Sequence, residues 1–125
     1  MTYRIALVDD EADIRRLLRA LLRGHTLFEA TNGEEGLALV REVLPDVVLL
    51  DMMMPRMNGQ EVAQILSSDP KTSRIPIIML SAKGQVSDIE SGYQSGVKRY
   101  LVKPFDPVAL RAAIADVVQG TSHIK

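Results

Sequence analysis

Three acidic residues in a row, Asp9, Asp10 and Glu11, follow the aliphatic run that starts at Arg4. A fourth carboxylate, Asp51, follows DVVLL; Ser81 follows PIIML, and Lys103 follows YLV. Each of these polar groups stands where a short apolar run stops, as at the end of a strand covered on both faces. Carboxylates gathered in one place raise one another's pKa unless a cation intervenes, and their hard oxygens select ions such as Mg2+. With a hydroxyl and an ammonium added, the set matches the needs of phosphoryl transfer, namely charge neutralisation around the phosphoryl oxygens and an in-line acceptor. Asp51 is the candidate acceptor. A carboxylate is a weak nucleophile, yet it suffices when the donor is activated and the transition state is loose.

That chemistry exists only if the chain brings these residues together. Apolar runs predict strands at 4–8, 26–30, 46–50, 76–80 and 100–102. Helical periodicity predicts helices at about 11–23, 34–43, 60–67, 86–95 and 107–119; in the first, Ile14, Leu17, Leu18, Leu21 and Leu22 form the apolar stripe before Gly24. Strands alternating with helices imply an α/β fold with a parallel sheet, because parallel neighbours need a crossover. Five βα units suit an open, doubly wound, five-stranded sheet; a closed eight-unit barrel needs about 250 residues. In such sheets ligands bind beyond the carboxyl ends of the strands, where every polar outlier falls. In the flavodoxin-like order 2-1-3-4-5, strands one and three are neighbours, so Asp9 or Asp10 comes within about one strand spacing, ~4.8 Å, of Asp51. Ser81 lies one strand from Asp51. Lys103 lies two strands away, about 10 Å, a gap that a long side chain on a twisted sheet substantially closes.

Composition narrows the function classes. The 125 residues are 46% hydrophobic and 25% charged, the balance of one globular domain, and the net charge of -1 lacks the basic footprint of a nucleic-acid binder. The absence of cysteine removes disulfides, thiolate metal sites and a cysteine nucleophile. No run is long enough to span a membrane and the first residues do not resemble a signal peptide, so a cytoplasmic location and no membrane partner are expected.

Taken together, VDDE, LLDMMMPRMNG, LSA and YLVKPF closely resemble the response-regulator receiver domain, the phosphoacceptor half of two-component signalling, from about Arg4 to about Val118. The resemblance implies a receiver domain over 1–119 followed by a flexible tail, 120–125. It implies that Asp51 accepts a phosphoryl group from a phosphohistidine on a sensor histidine kinase or phosphotransfer domain. Mg2+ would be held by Asp10, Asp51 and the backbone carbonyl of Met53, with Asp9 acting through metal-bound water. Lys103 would pair with the phosphoryl oxygens, Ser81 would turn toward them, and Tyr100 would move inward with Ser81. The output would be a changed surface on the fourth helix, fifth strand and fifth helix, read by a downstream effector. The chain would be a signalling switch rather than an enzyme, accepting phosphoryl groups from small donors and slowly dephosphorylating itself. The Lys103-Pro104 bond resembles one the family holds cis. Departures include Lys98 and Arg99 where many members have acids, and Ala109 where they have glutamate. Those positions carry the dimer salt bridges of one DNA-binding subfamily. Met53 and Lys83 stand at positions whose side chains flank the path of attacking water in the family.

Other functions fit less well. In an EF-hand reading of DDEAD, Ile14 would stand where glycine is needed and Ala20 where the bidentate glutamate belongs. A flavodoxin-type carrier needs phosphate-binding donors where Asp9, Asp10 and Glu11 stand. An aspartyl-nucleophile phosphatase resembles this set but has a second aspartate where this chain has Met53. A receiver-like interaction module independent of phosphate is the remaining alternative, opposed by the intact set of polar residues. Met52, Met53, Met54 and Met57 are expected to pack, and Arg15, Arg16, Arg19 and Arg23 to form a solvated helix face. No effector sequence follows Gln119, which leaves a stand-alone regulator and a part of a larger protein both open.

Overall fold

The strands carry the alternation that the sequence implies. In a computed structural model that describes residues 2–82 and 96–120, strands β1 (Arg4–Val8), β2 (Thr26–Ala30), β3 (Val47–Asp51), β4 (Ile77–Ala82) and β5 (Val97–Lys103) form one parallel sheet, ordered β2-β1-β3-β4-β5. Helices α1 (Ala12–Leu21), α2 (Gly33–Val43), α3 (Gly59–Ser68) and α4 (Pro107–Gln119) cover it. The fourth predicted helix, 86–95, lies outside the described residues, as do Lys83 and all of the expected tail except Gly120.

Successive residues of the central strands feed two cores. Ala6, Val8, Val48, Leu50, Ile77 and Met79 pack with α2 and α3 on one face. Ile5, Leu7, Val47, Leu49, Ile78 and Leu80 pack with Leu18, Leu22, Leu110 and Ile114 on the other. Because both faces are covered, β3 is buried at every position and reads as an unbroken aliphatic run.

Helix starts follow local chemistry. Asn58 and Glu61 make a reciprocal capping box at α3, Asn32 caps α2, and Asp106 caps α4 ahead of Pro107. Gly59 starts α3 directly against the site strand: a Cβ there would meet the Asp51 carbonyl oxygen, Met79 Sδ at 2.8 Å and Met52 Cα at 2.9 Å. The absence of a side chain lets α3 begin while Gly59 N–H donates to the Met52 carbonyl at 2.8 Å.

Two strand expectations need correction. Ser81 is the fifth of six residues in β4 rather than a residue after it, since its backbone still pairs with Val102. β5 starts at Val97, three residues before the expected 100, because Lys98 and Arg99 disguise an edge strand with an exposed side. A register shift lies between Ile77↔Val97 and Ile78↔Arg99, leaving Lys98 as an extra residue. Met52 and Met54 are buried, as expected of packing residues, but Met53 is 59% exposed. Arg99 pairs with Asp116 of α4 at 3.0 Å.

Candidate phosphoryl-transfer site

Strand register assembles the site. Val8 pairs with Leu50, so Asp9 leaves β1 beside Asp51 at the end of β3. Asp51 pairs with Leu80 and Ala82 with Lys103, which sets the carboxyl ends of β3, β4 and β5 side by side. Asp9, Asp51 and Lys103 each continue a row of residues on one face of the sheet: Ile5 and Leu7, Val47 and Leu49, and Leu101.

The three side chains meet. Lys103 Nζ donates to Asp9 Oδ2 and Asp51 Oδ1, both at 3.1 Å, and to Glu11 Oε1 at 3.1 Å. The Lys103-Pro104 bond is cis. Asp9 and Asp51 are buried, Asp10 and Glu11 exposed, and carboxylate oxygens of all four lie within 4.8 Å of one another.

Burial pushes the Asp51 carboxyl from its ordinary 3.8 up to about 7. The charge of Asp9 and a hydrogen bond with Asp10 push the same way, while Lys103 pulls it down. Burial alone would lower the Lys103 ammonium, but the charges of Asp51 and Asp9, and hydrogen bonds to both, outweigh it and hold the pKa up at about 12. One ammonium among four carboxylates leaves net negative charge. The donor set consists of hard oxygens, so it fits a divalent cation such as Mg2+.

Ser81 and Tyr100 occupy the opposite face. Ser81 continues the row of Ile77 and Met79, and Tyr100, paired with Met79, packs against the same cluster. Ser81 Oγ is buried with no hydrogen-bond partner among the described residues. A hydroxyl in that state lacks the bond that buried polar groups ordinarily make. Met53 lies just beyond β3 with its side chain exposed.

Two residues have larger parts than their sequence positions suggest. Glu11, conspicuous only as the third acid in a row, reaches the ammonium at the end of β5. Arg15 belongs to the arginine face of α1, yet its side chain is only 15% exposed. It donates from Nη1 to the Asp9 carbonyl at 2.7 Å and from Nε to Glu29 at 3.2 Å. Its place one helical turn after Glu11 is the only sequence signal for this clamp. Asp9 also accepts the Glu11 backbone N–H at 2.8 Å, so it serves the start of α1 as well as the site.

Known proteins resemble this chain in sequence and in fold. Residues 5–115 match the response regulator receiver domain family. The chain is 44% identical over 123 residues to "Probable transcriptional regulator ycf27" of Porphyra purpurea, covering 97% of this chain and 49% of that protein. It is 42% identical over 116 residues to the DNA-binding response regulator MtrA of Mycobacterium tuberculosis, covering 91% of this chain and 50% of that protein. The chain thus spans about half the length of the curated relatives it matches. The chemotaxis protein CheY4 of Vibrio cholerae superposes with a TM-score of 0.86 at 28% identity, covering 94% of this chain and 99% of that one. Sheet order, strand-end chemistry and likeness along nearly the whole chain agree, and the chain belongs to the response regulator receiver domain family of two-component systems.

Proposed function

We propose that Asp51 is the phosphoacceptor and that Lys103, Asp9 and Asp10 organise its phosphorylation. The observation that carries this reading is the Lys103 ammonium, which bridges Asp9 and Asp51 at 3.1 Å each, with Asp51 only 4% exposed. In the step, the N–P bond of a kinase or phosphotransfer-domain phosphohistidine breaks as a P–O bond forms to an Asp51 oxygen. The freed imidazole nitrogen takes a proton from solvent. Asp51 attacks as the carboxylate, so the burial that raises its pKa opposes the reaction until positive charge relieves it.

Receiver domains bind Mg2+ at an acidic pocket. Here Asp10, Asp51 and the Met53 carbonyl would hold the ion, with Asp9 acting through water, and the ion would neutralise phosphoryl oxygens. Lys103 supplies a second positive charge, 3.1 Å from Asp51 Oδ1. Ser81 contributes a hydroxyl whose missing hydrogen bond a phosphoryl oxygen would provide, and Tyr100, on the same face, follows its movement. The family implies a histidine kinase upstream and an effector downstream. Among the described residues no helix is long and apolar enough to cross a membrane. Nucleic-acid binding is not assigned to this chain, whose net charge is -1. Nor is a phosphatase cycle, because Met53 offers no general acid.

Intact-protein mass after incubation with Mg2+ and an acyl phosphate tests this. One phosphoryl adduct is expected, lost in Asp51→Asn and in excess chelator, and requiring more Mg2+ in Asp10→Asn. A folded protein that takes no adduct from a donor shown to survive the incubation would favour a phosphate-independent interaction module.

A further inference from the structure

Asp9 is held at every polar atom. Its N–H donates to the Ala30 carbonyl at 3.2 Å, its Oδ1 accepts the Glu11 N–H at 2.8 Å, and its Oδ2 accepts from Lys103 at 3.1 Å. The fourth contact comes from a side chain on α1: Arg15 Nη1 donates to the Asp9 carbonyl at 2.7 Å. The first three fix the strand end and the carboxylate. The fourth acts on the peptide that leads to Asp10, and because a peptide unit is planar, the direction of the Asp9 carbonyl also sets where the Asp10 nitrogen lies.

Arg15 is itself anchored. Its Nε donates to Glu29 Oε1 at 3.2 Å, and Arg19, one turn further along α1, donates to both oxygens of Glu29 at 2.6 and 2.7 Å. A guanidinium is a rigid fork, so fixing Nε aims Nη1. Asp9 is buried. Without Arg15 its carbonyl would be a buried acceptor short of a donor, a state relieved by turning the peptide toward another donor or toward water. Such a turn would carry Asp10 with it.

We infer that Arg15, anchored by Glu29, is a positioning residue for divalent-cation binding: it sets the Asp9–Asp10 peptide so that the Asp10 carboxylate stands at the acidic pocket. The inference rests on the reading of that pocket as the Mg2+ site. Its sign is opposite to that of simple electrostatics. Removing a positive charge from the neighbourhood of carboxylates favours a cation there, whereas removing the clamp opposes it. Outer-shell partners of metal ligands contribute about 10 to 100-fold in affinity, and a contact to the main chain beside an exposed ligand belongs at the lower end, about 10-fold.

The test titrates Mg2+ into wild type, Arg15→Gln, Arg15→Lys, Arg19→Gln and Asp10→Asn, with urea unfolding to establish that each is folded. A second readout is the residual dipolar coupling of the Asp10 N–H without metal, which reports the tilt of the peptide. Arg15→Gln is expected to raise the Mg2+ Kd about 10-fold and to change the coupling. Lysine keeps the charge but ends one bond short of Nη1 and lacks the fork, so Arg15→Lys should lie between wild type and Arg15→Gln. Arg19→Gln removes the same charge from the same helix but no contact with Asp9, and should bind Mg2+ at least as tightly as wild type.

A merely structural role for Arg15 would lower the unfolding midpoint and leave Kd and coupling alone, and that result would overturn the inference. So would an unchanged or lowered Kd in Arg15→Gln or, should that variant not fold, in Arg15→Lys. Equal weakening in Arg19→Gln, or weaker binding with an unchanged Asp10 coupling, would overturn it too. Each of these leaves the Mg2+ pocket standing. Wild-type affinity in Asp10→Asn would instead remove Asp10 from the Mg2+ site, and the inference with it.

Discussion

Replacing Asp51 by asparagine should make the metal-free protein more stable while ending its chemistry. The ionised carboxylate is buried beside Asp9, and its pKa stands at about 7 rather than 3.8. A folded-state pKa above the unfolded value means that the native protein binds the proton more tightly. Stability contributed by the protonated group is therefore fully present below about pH 4 and lost as pH rises toward 7. Moving from 3.8 to about 7 corresponds to about 4 kcal/mol at ~1.4 kcal/mol per tenfold. Water entry and movement of Lys103 reduce the recoverable part, and we expect Asp51→Asn to gain about 1–3 kcal/mol at pH 8.

The assay is urea unfolding of both proteins in chelator at pH 4.5 and pH 8. The gain should be largest at pH 8 and small at pH 4.5, where the wild-type carboxyl is mostly protonated. Added Mg2+ should close the gap at pH 8 by stabilising only the protein that retains Asp51 in its binding set. An asparagine variant no more stable than wild type at pH 8 would refute the argument. So would an equal gain at both pH values, because a pH-independent gain cannot come from relieving a charge.

Two further perturbations probe the scaffold. Gly59→Ala drives a methyl group into the backbone of Asp51 and Met52, which cannot move aside as a flexible side chain would, so a loss of about 1–3 kcal/mol is expected; a neutral denaturation midpoint would contradict the close approach. Arg56, exposed in the turn after β3, has a φ of 69°. Arg56→Gly removes a left-handed cost of about 1–2 kcal/mol and returns about 0.4–1 kcal/mol as unfolded-state entropy, so a small net gain is expected in the same assay. Arg56→Val should lose stability, and an equal effect of both substitutions would discount strain at this turn.

Much of the site is legible because parallel strands impose a simple code. Asp9, Asp51 and Lys103 each stand two residues beyond a core residue of their own strand, Leu7, Leu49 and Leu101, so their assembly on one face follows from alternation once the strand order is assumed. Capping residues place the starts of α2, α3 and α4 almost as clearly. Arg15 is harder to read. Its long stem lets a residue with a solvated head in most helices fold back onto the Asp9 carbonyl, and composition does not distinguish the two. Glu11 is obscured for a different reason: its partner stands 92 residues away, on an edge strand separated from β1 by two others.

Alternation carried from Leu101 back to the start of β5 fails at one position that the sequence does not mark. Val97 packs in the cluster with Met79, and simple alternation from it would place residues 99, 101 and 103 on that same face, away from Asp51. Lys98 is the extra residue between Val97 and Arg99 in the pairing with β4, and it reverses the alternation beyond it. Tyr100 therefore joins the Met79 face, while Leu101 and Lys103 turn to the face that holds Leu49 and Asp51. In sequence Lys98 is one of two adjacent basic residues, and nothing in its side chain marks it as a bulge. Its exposed, charged character suits an edge strand, where an unpaired residue disrupts the ladder on one side only. Tyr100 and Lys103, three residues apart, lie on opposite faces by alternation, and the irregular position sets which face each takes: Tyr100 that of Ser81, Lys103 that of Asp51.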